Sequence, residues 1–375
     1  MNPEAQFCPN SACHASGQEG LNNIRVHSRK KGRYKCTCCG KTFSERRETA
    51  VYRLKKPVDL FVIVVTLLVN GCPPQAIVAA YKLDLRTVAS WQKRAGDHAR
   101  QVHEQVIGQS QLDLGQVQAD EIKVKTQGGY LWLALAMMVS TRLWIAGAVS
   151  PHRDKALIRT VANQVRQIAQ YQPLLIAVDG LASYVKAFRL AFRTKVPNGK
   201  PGASRKIPWP DLAIVQVVKR RQEGEFSIQR RIVQGGVQMI QSLIDDSQGI
   251  GGVINTAFIE RFNATFRQRL GFLARRTRAL ARHSQTVESG MYLLGSVYNF
   301  CTVHSSLSIQ IAVGYKAKHW VKRTPAMAAG LTDHRWSIHE LLHFKVPTLF
   351  VRPKKRGRPP KFRSSCGFSQ PHYSV

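Results

Sequence analysis

The sequence is poor in acid. Its 22 Asp and Glu residues face 56 Lys and Arg, so the 375-residue chain carries a formal net charge of +34. Its sequence pI is near 10.5. That deficit excludes a surface neutralised by its own carboxylates. It implies a polyanionic partner, because the basic residues run over the whole length. Long hydrophobic runs are lacking too: Val58–Val69 is too short to span a bilayer and contains Asp59. Met1–Gly20 is polar and has no apolar h-region, so no secretory leader is expected. In a chain expected to work in the cytoplasm, on the nucleoid, eight cysteines are read as thiols and metal ligands rather than disulfides. Ribosomal and histone-like proteins are as basic but rarely carry 44% hydrophobic residues, enough here for a real core and more than one domain.

What is present begins with cysteine. Cys8-Pro-Asn-Ser-Ala-Cys13 and Cys36-Thr-Cys-Cys39-Gly40 are two pairs separated by a hairpin-length basic insert. Two such knuckles give the four thiolates of a tetrahedral zinc ribbon, and Gly40 permits the tight turn. Cys8, Cys13, Cys36 and Cys39 are the expected structural Zn²⁺ ligands, with His14 or Cys38 as possible substitutes. A segment this short needs the metal for its fold. Between the knuckles, Ile24–Tyr34 forms a basic ribbon suited to DNA.

A helical block follows. Val58–Asn70 reads as one apolar helix ended by Gly71, and Pro74–Tyr81 as a second, begun by Pro73-Pro74. After a Lys82-Leu83 turn, Asp84 is the N-cap of Leu85–Arg94, and His98–Gln111 reads as a helical linker. Short helix, tight turn, helix is the pattern of a helix-turn-helix, with Arg86, Thr87, Ser90, Lys93 and Arg94 facing DNA. An ordinary basic helical bundle is the competing reading.

From Gln116 the period changes. Gln116–Thr126, Tyr130–Ser140 and Leu143–Ser150 read as an antiparallel meander, and Asp154–Gln170 as an amphipathic helix. Leu174–Val178 is a buried strand, Ser183–Phe192 a helix, Thr194–Pro210 a Pro/Gly/Lys loop, and Leu212–Val218 another buried strand. Gly224–Gly252 reads as an insertion of undefined structure. In Asn255–Leu270, Phe258, Phe262 and Phe266 recur every fourth residue as an apolar helical stripe. Glu260, Asn263 and Arg267 fall on the other side. This is the element order of a ribonuclease-H-like α/β fold.

Asp120 lies in the first of these strands, and Asp179 ends the buried strand Leu174–Val178, where a polar residue points into the functional crevice of an α/β sheet. The two strands are expected to be neighbours, with Glu260 completing a triangle from the late helix. Clustered carboxylates repel one another and need cations. Two Mg²⁺ ions (or Mn²⁺) roughly 4 Å apart suit phosphodiester chemistry. Each carboxylate alone has a plainer account: Glu121 can be the inward residue instead of Asp120, Asp179 can form a turn with Gly180, and Glu260 can pair with a neighbouring arginine.

The zinc knuckle, the helical block, Ala119-Asp120-Glu121, Val178-Asp179-Gly180 and Asn255-Thr-x3-Glu260-Arg-Phe-Asn263 together resemble the DDE transposases of bacterial insertion sequences that carry an N-terminal zinc ribbon and helix-turn-helix. Tyr298-Asn-Phe300, His304-Ser-Ser-Leu307 and Arg323–Leu331 are similar to the tail of such enzymes. The resemblance implies that Asp120, Asp179 and Glu260 are the metal-binding catalytic triad. It also implies that the terminal inverted repeats of the mobile element are the specific substrate, and that the enzyme acts as a homodimer or larger assembly on DNA. On that division, residues 1–50 are the zinc ribbon, 51–112 the helix-turn-helix, 113–310 the catalytic domain and 311–375 a C-terminal extension. Arg261, Asn263 and Arg267 are candidates to hold the scissile phosphate or flanking DNA. His304 is read as a core histidine, with orientation of a metal-bound water as the alternative. In the tail Pro353–Lys361, Arg356-Gly-Arg358-Pro resembles an AT-hook, a flat glycine between two arginines entering a narrow minor groove; the alternative is a disordered basic tail.

Overall fold

The computed structural model describes residues 1–196, 204–222, 225–313 and 317–347. The AT-hook-like segment with Arg356 and Arg358 lies outside them. The described residues divide into two compact units, Met1–Glu45 and Arg46–Val346.

In the first unit, β1 (Ile24–Ser28), β2 (Arg33–Cys36) and β3 (Thr42–Ser44) form an antiparallel sheet in that order. The strand period sorts the residues. Ile24, Tyr34, Cys36 and Phe43 are buried, while Arg25 and Lys35 face each other across the pair on the exposed side. The core holds little besides Cys8, Cys13 and Ala15, which is too small to stabilise a fold alone.

The second unit opens with α1 (Val58–Val69), α2 (Pro74–Tyr81) and α3 (Leu85–Val106). Pro74 takes the first helical position of α2, where its missing N–H costs nothing. Lys82 closes α2 in the left-handed region at φ 50°, and Asp84 caps α3 by accepting from the Arg86 amide at 2.7 Å. The expected linker is instead the second half of α3. Val88, Trp91, Ala95, Ala99 and Val102 continue one buried row, so nothing in the packing ends the helix at Arg94.

Next come β4 (Gln116–Thr126), β5 (Gly129–Met138), β6 (Trp144–Ser150), α4 (Lys155–Ile168), β7 (Leu174–Asp179) and α5 (Ala182–Ala191). The basic insert read as a loop is, at its described ends, a two-stranded ribbon of β8 (Arg193–Val196) and β9 (Arg205–Pro208). The Trp209 indole anchors it by donating to Thr194 Oγ1 at 3.1 Å. The insertion of undefined structure, Gly224–Gly252, holds a strand and a helix among its described residues. After β10 (Leu212–Gln222), β11 (Glu225–Gln234) returns antiparallel and α6 (Val237–Gln248) covers the sheet. Then follow α7 (Ala257–Arg269), a 3₁₀ turn (Gly271–Leu273), α8 (Ser284–Ser296), a π turn (Val297–Cys301), β12 (His304–Val313), β13 (Ala317–Arg323), α9 (Pro325–Ala328) and α10 (Ile338–His343).

The fold is mixed α/β. Its six-stranded sheet has the order β11-β10-β7-β4-β5-β6, with β7 parallel to both β4 and β10 and the other pairs antiparallel. Alternation gives β7 two apolar faces. Leu175 and Ala177 pack with Ile240 and Ile244 of α6, while Leu174, Ile176 and Val178 join the main core. That main core also takes in α1–α3, so packing is continuous across the expected boundary near residue 112.

Its tightest point is Trp144 on β6, fully buried and clasped by Asn299 of the π turn. Asn299 Oδ1 accepts from the Trp144 amide at 2.9 Å, and its Nδ2 donates to the Trp144 carbonyl at 2.8 Å. A Cβ on Gly295 would stand 2.2 Å from the Trp144 ring. Gly295→Ala is therefore expected to destabilise this unit by about 1–3 kcal/mol, read as a thermal midpoint several degrees lower. An unchanged midpoint would mean that the indole shifts without cost.

Candidate functional site

The parallel pairing of β4 with β7 sets Ala119 opposite Val178, so Asp120 and Asp179 come out side by side where β7 ends. Ligand oxygens of Asp120, Glu121 and Asp179 lie within 4.8 Å of one another, a group able to hold a metal ion. Glu260 is not in that tight group. It stands on α7 across a cleft of about 590 Å³, which Asp120, Arg153, Asp179, Lys219 and Thr256 also line. Its Oε1 accepts from Thr256 Oγ1 at 2.6 Å and pairs with Lys219. The plainer alternative, a salt bridge of Glu260 to an arginine of its own segment, takes the form of a pair with a lysine from β10 instead.

Consecutive strand residues point to opposite faces, and the two acids on β4 obey that rule. Asp120 turns toward α7, where Asn263 Nδ2 donates to its Oδ2 at 2.8 Å. Glu121 turns toward α5, where Tyr184 donates its hydroxyl to Oε2 at 2.7 Å and Arg153 pairs with Oε1. Asp179 serves two ends: its Oδ1 accepts from the Leu181 amide at 2.9 Å, the turn-forming role, and its Oδ2 faces Arg153 at 3.2 Å.

What aims α7 at this cleft is Gln118, two residues before Asp120 and fully buried. Thr256, at the N-cap position, makes no side-chain cap bond. Gln118 Oε1 accepts instead from the amides of Phe258 and Ile259, at 3.1 and 3.0 Å, and its Nε2 donates to the Asn255 carbonyl at 2.8 Å. A strand side chain thereby satisfies two of the orphan donors of the helix, and Asn255 Oδ1 accepts from a third, the Ala257 amide. Along α7, Phe262 and Phe266 are buried, and so are Ile259 and Asn263. The buried stripe is therefore rotated from the Phe258–Phe262–Phe266 line, because Asn263 is drawn in by Asp120.

The charges are unbalanced locally. Burial, then repulsion from Glu121, Asp179 and Glu260, pushes the Asp120 carboxyl up to about 7. Burial beside Glu121 also holds the Tyr184 phenol well above its usual range. Burial works to lower the Arg153 guanidinium, but Glu121 and Asp179 outweigh it and raise it. Burial, with Arg142 and Arg269 nearby, pushes His304 down to about 4. His304 is half-buried at the start of β12, its ring 4.6 Å from that of Tyr298.

In the first unit, Cys8, Cys13, Cys36 and Cys39 present sulfurs within 4.8 Å of one another. The 3.6 Å between Cys8 and Cys39 Sγ is close to the edge of about 3.8 Å of a tetrahedron with 2.3 Å metal–sulfur bonds. Both possible substitutes, His14 and Cys38, are exposed and outside this group. Burial raises the Cys8 and Cys36 thiols; at Cys39 burial is outweighed by hydrogen bonds from the Lys41 backbone and Asn10, which bring it to about 7. The set is compatible with zinc.

Of the residues expected to face DNA, Arg86, Ser90 and Lys93 are exposed at the start of α3 and Thr87 is half-buried. Lys93 pairs with Asp97 one turn on. Arg94 is tied to the Tyr52 carbonyl at 2.7 Å. On α7, Arg261 is exposed and Arg267 half-buried, whereas Asn263 is 1% exposed and spends its amide on Asp120.

The chain matches no protein-family model and no curated protein. Gln118, Arg153, Tyr184 and Lys219 carried no signal in the sequence, since each acts on a residue distant in the chain.

Two outcomes are expected. Folded Asp120 ionises near 7 instead of 3.8, so the folded state keeps a proton that the unfolded chain has lost. Its contribution to stability is full below the unfolded value and falls as pH rises through 7. In Mg²⁺-free buffer, Asp120→Asn should melt above wild type at about pH 8, with that advantage shrinking as pH falls and nearly gone by about pH 3.5; equal midpoints across that range would remove the strained carboxyl. Separately, chelation or Cys36→Ser should collapse the dispersed NMR signals of Met1–Glu45. Signals indifferent to both would rule out a structural metal.

Proposed function

We propose that this chain is a DNA transposase of the insertion-sequence DDE type, with a ribonuclease-H-like catalytic core, a zinc ribbon and a helix-turn-helix. The observation that carries the reading is the cleft: Asp120 and Asp179 adjacent at the centre of the sheet, with Glu260 across from them on α7. The sheet supports it as well. Counted within the core, its order from β6 to β10 is third, second, first, fourth, fifth strand, with only the last three parallel to one another. A net charge of +34 supplies the attraction for a polyanion.

The donor set fits divalent metal: every group is a carboxylate oxygen, and Asp120 is costly to ionise without a cation. Asp120, Asp179 and Glu260 would hold two Mg²⁺ or Mn²⁺ ions. When bound, these supply activation of a water or 3′-hydroxyl and stabilisation of the leaving oxygen. The residues of the chain do the positioning. Asn263 fixes the rotamer of Asp120, Thr256 holds Glu260, and Gln118 sets the helix that carries both of these partners. Arg261 and Arg267, about one and nearly three turns along α7, offer contacts to backbone phosphate.

Recognition of the element's terminal inverted repeats is assigned to α3, whose first turns present Arg86, Thr87 and Ser90, and to the basic side of β1 and β2 in the zinc ribbon. Pairing of two element ends calls for a homodimer or larger assembly. No helix among the described residues is long and apolar enough to cross a membrane.

The deciding experiment is Mg²⁺-dependent cleavage and strand transfer on DNA bearing the element's own ends, wild type against Glu260→Gln. Loss of both activities in the variant, by at least about 10³-fold, is expected if an essential ligand is removed. Cleavage without joining would favour a nuclease of the same fold. Sequence-specific binding with neither activity would leave a DNA-binding regulator.

A further inference from the structure

Three carboxylates crowd the end of β7 and the middle of β4 beside it, but they are not equivalent. Glu121 has a side chain only 2% exposed and both oxygens engaged, Oε2 by the buried Tyr184 hydroxyl at 2.7 Å and Oε1 by Arg153. Asp120 and Asp179 instead open onto the cleft. The Arg153 guanidinium spans the difference. It is paired to Glu121, reaches Asp179 Oδ2 at 3.2 Å, lies 5.2 Å from the centre of the Trp132 ring, and lines the cleft with its side chain 36% exposed. On the opposite wall Lys219 holds Glu260 in the same manner. Each outer carboxylate of the cleft thus carries a counter-cation belonging to the chain.

We propose that Glu121 is not a metal ligand but the anchor of Arg153, and that Arg153 is a positioning cation. It competes with divalent metal for Asp179 and, once displaced, stays anchored at the cleft edge to hold a non-bridging oxygen of the phosphodiester. The inference rests on the metal-dependent reading of the cleft. The chemistry behind it is that the guanidinium meets Glu121 through both Nε and Nη2 but reaches Asp179 through Nη2 alone, so it can release Asp179 while keeping Glu121. A buried acid with a phenol and a guanidinium already on its two oxygens would have to surrender one of them to bind metal and leave that partner unpaired. Asp179 gives up a single 3.2 Å contact.

The test is Mn²⁺ binding to the intact zinc-loaded chain, followed by the electron-spin-resonance signal of free Mn²⁺, so that the readout does not depend on turnover. Asp179→Asn should weaken binding by about tenfold or more, as loss of a ligand does, and Glu121→Gln should leave it within about threefold of wild type. Arg153→Ala should bind Mn²⁺ several-fold more tightly, since its competitor is gone. Because that change leaves Glu121 buried without its cation, the double variant Arg153→Ala/Glu121→Gln is the better-folded control and should show the same tightening. In cleavage assays Arg153→Ala should raise KM for DNA more than it lowers kcat, with partial rescue by Arg153→Lys. Glu121→Gln weakening Mn²⁺ as much as Asp179→Asn would make Glu121 a ligand and overturn the proposal, and so would unaltered affinity in both arginine variants. Wild type that binds no Mn²⁺ would overturn both this inference and the metal cleft. Wild type that binds Mn²⁺ in the expected pattern but cuts no DNA would sink only the transposase reading.

Discussion

The geometry of the cleft depends on one buried amide. Gln118 sits on β4 with its carbonyl oxygen capping α7 and its NH₂ on the Asn255 carbonyl, so the start of the helix is bonded to the strand that carries Asp120. A helix N-terminus packed against a sheet would otherwise bury several N–H groups without partners, at a cost of about 1–3 kcal/mol each. Satisfying them from β4 fixes the position of α7 along the strand as well as its contact with it. Asn263 then falls within reach of Asp120 and Glu260 falls across the cleft from Asp179, neither of which packing of Phe262 and Phe266 alone would specify.

Rigid placement is what allows like charges to be held together. Asp120 is surrounded by three other carboxylates in partial burial, an arrangement that a mobile site would relieve by moving apart. The chain answers part of this repulsion with Arg153 and Lys219 and leaves the rest for a cation. The scarcity of acid in the sequence makes the concentration more telling: of 22 acidic residues against 56 basic ones, three line one cleft and a fourth, Glu121, is buried beside it. A duplex attracted to so basic a chain would meet these carboxylates at a point where cations can mediate the contact.

The sequence was most legible where a single periodicity or a single residue's conformational preference decided the outcome. Gln116–Thr126 and Pro74–Tyr81 form as expected to the residue, because alternation in one and Pro74 with the Lys82 turn in the other are local signals. Asp179 at the end of a wholly apolar strand was legible for the same reason. The structured portions of the basic insert and of Gly224–Gly252 were not, since β8, β9 and β11 are exposed ribbon or edge strands whose polar composition mimics a loop. Nor was the burial of Asn263, which a helical wheel assigns to the polar side. Its partner lies 143 positions earlier in the chain, and no local pattern contains that contact. The same holds for Glu121 with Tyr184 and for Glu260 with Lys219. Residue types at the site could be read; their division between cleft and anchor required the fold.

The length of α3 has a mechanical consequence. A separate recognition helix and linker would let a helix-turn-helix swivel against the sheet, but α3 runs unbroken for 22 residues, about 33 Å. Its middle is pressed onto α8 so closely that a Cβ on Gly96 would stand 2.4 Å from the Ser289 carbonyl oxygen. Further along, His103 stacks 4.3 Å from Trp144, and the Asn299 clasp fixes Trp144 in the sheet. Arg86 and Ser90 at the exposed end of α3 are therefore held at a set distance and direction from the carboxylate cleft by helix, indole and strand in series. Sequence recognition through those residues would fix which phosphodiester reaches Asp120 and Asp179, because a rod braced at two points along its length cannot trade one register for another without breaking the core around Trp144.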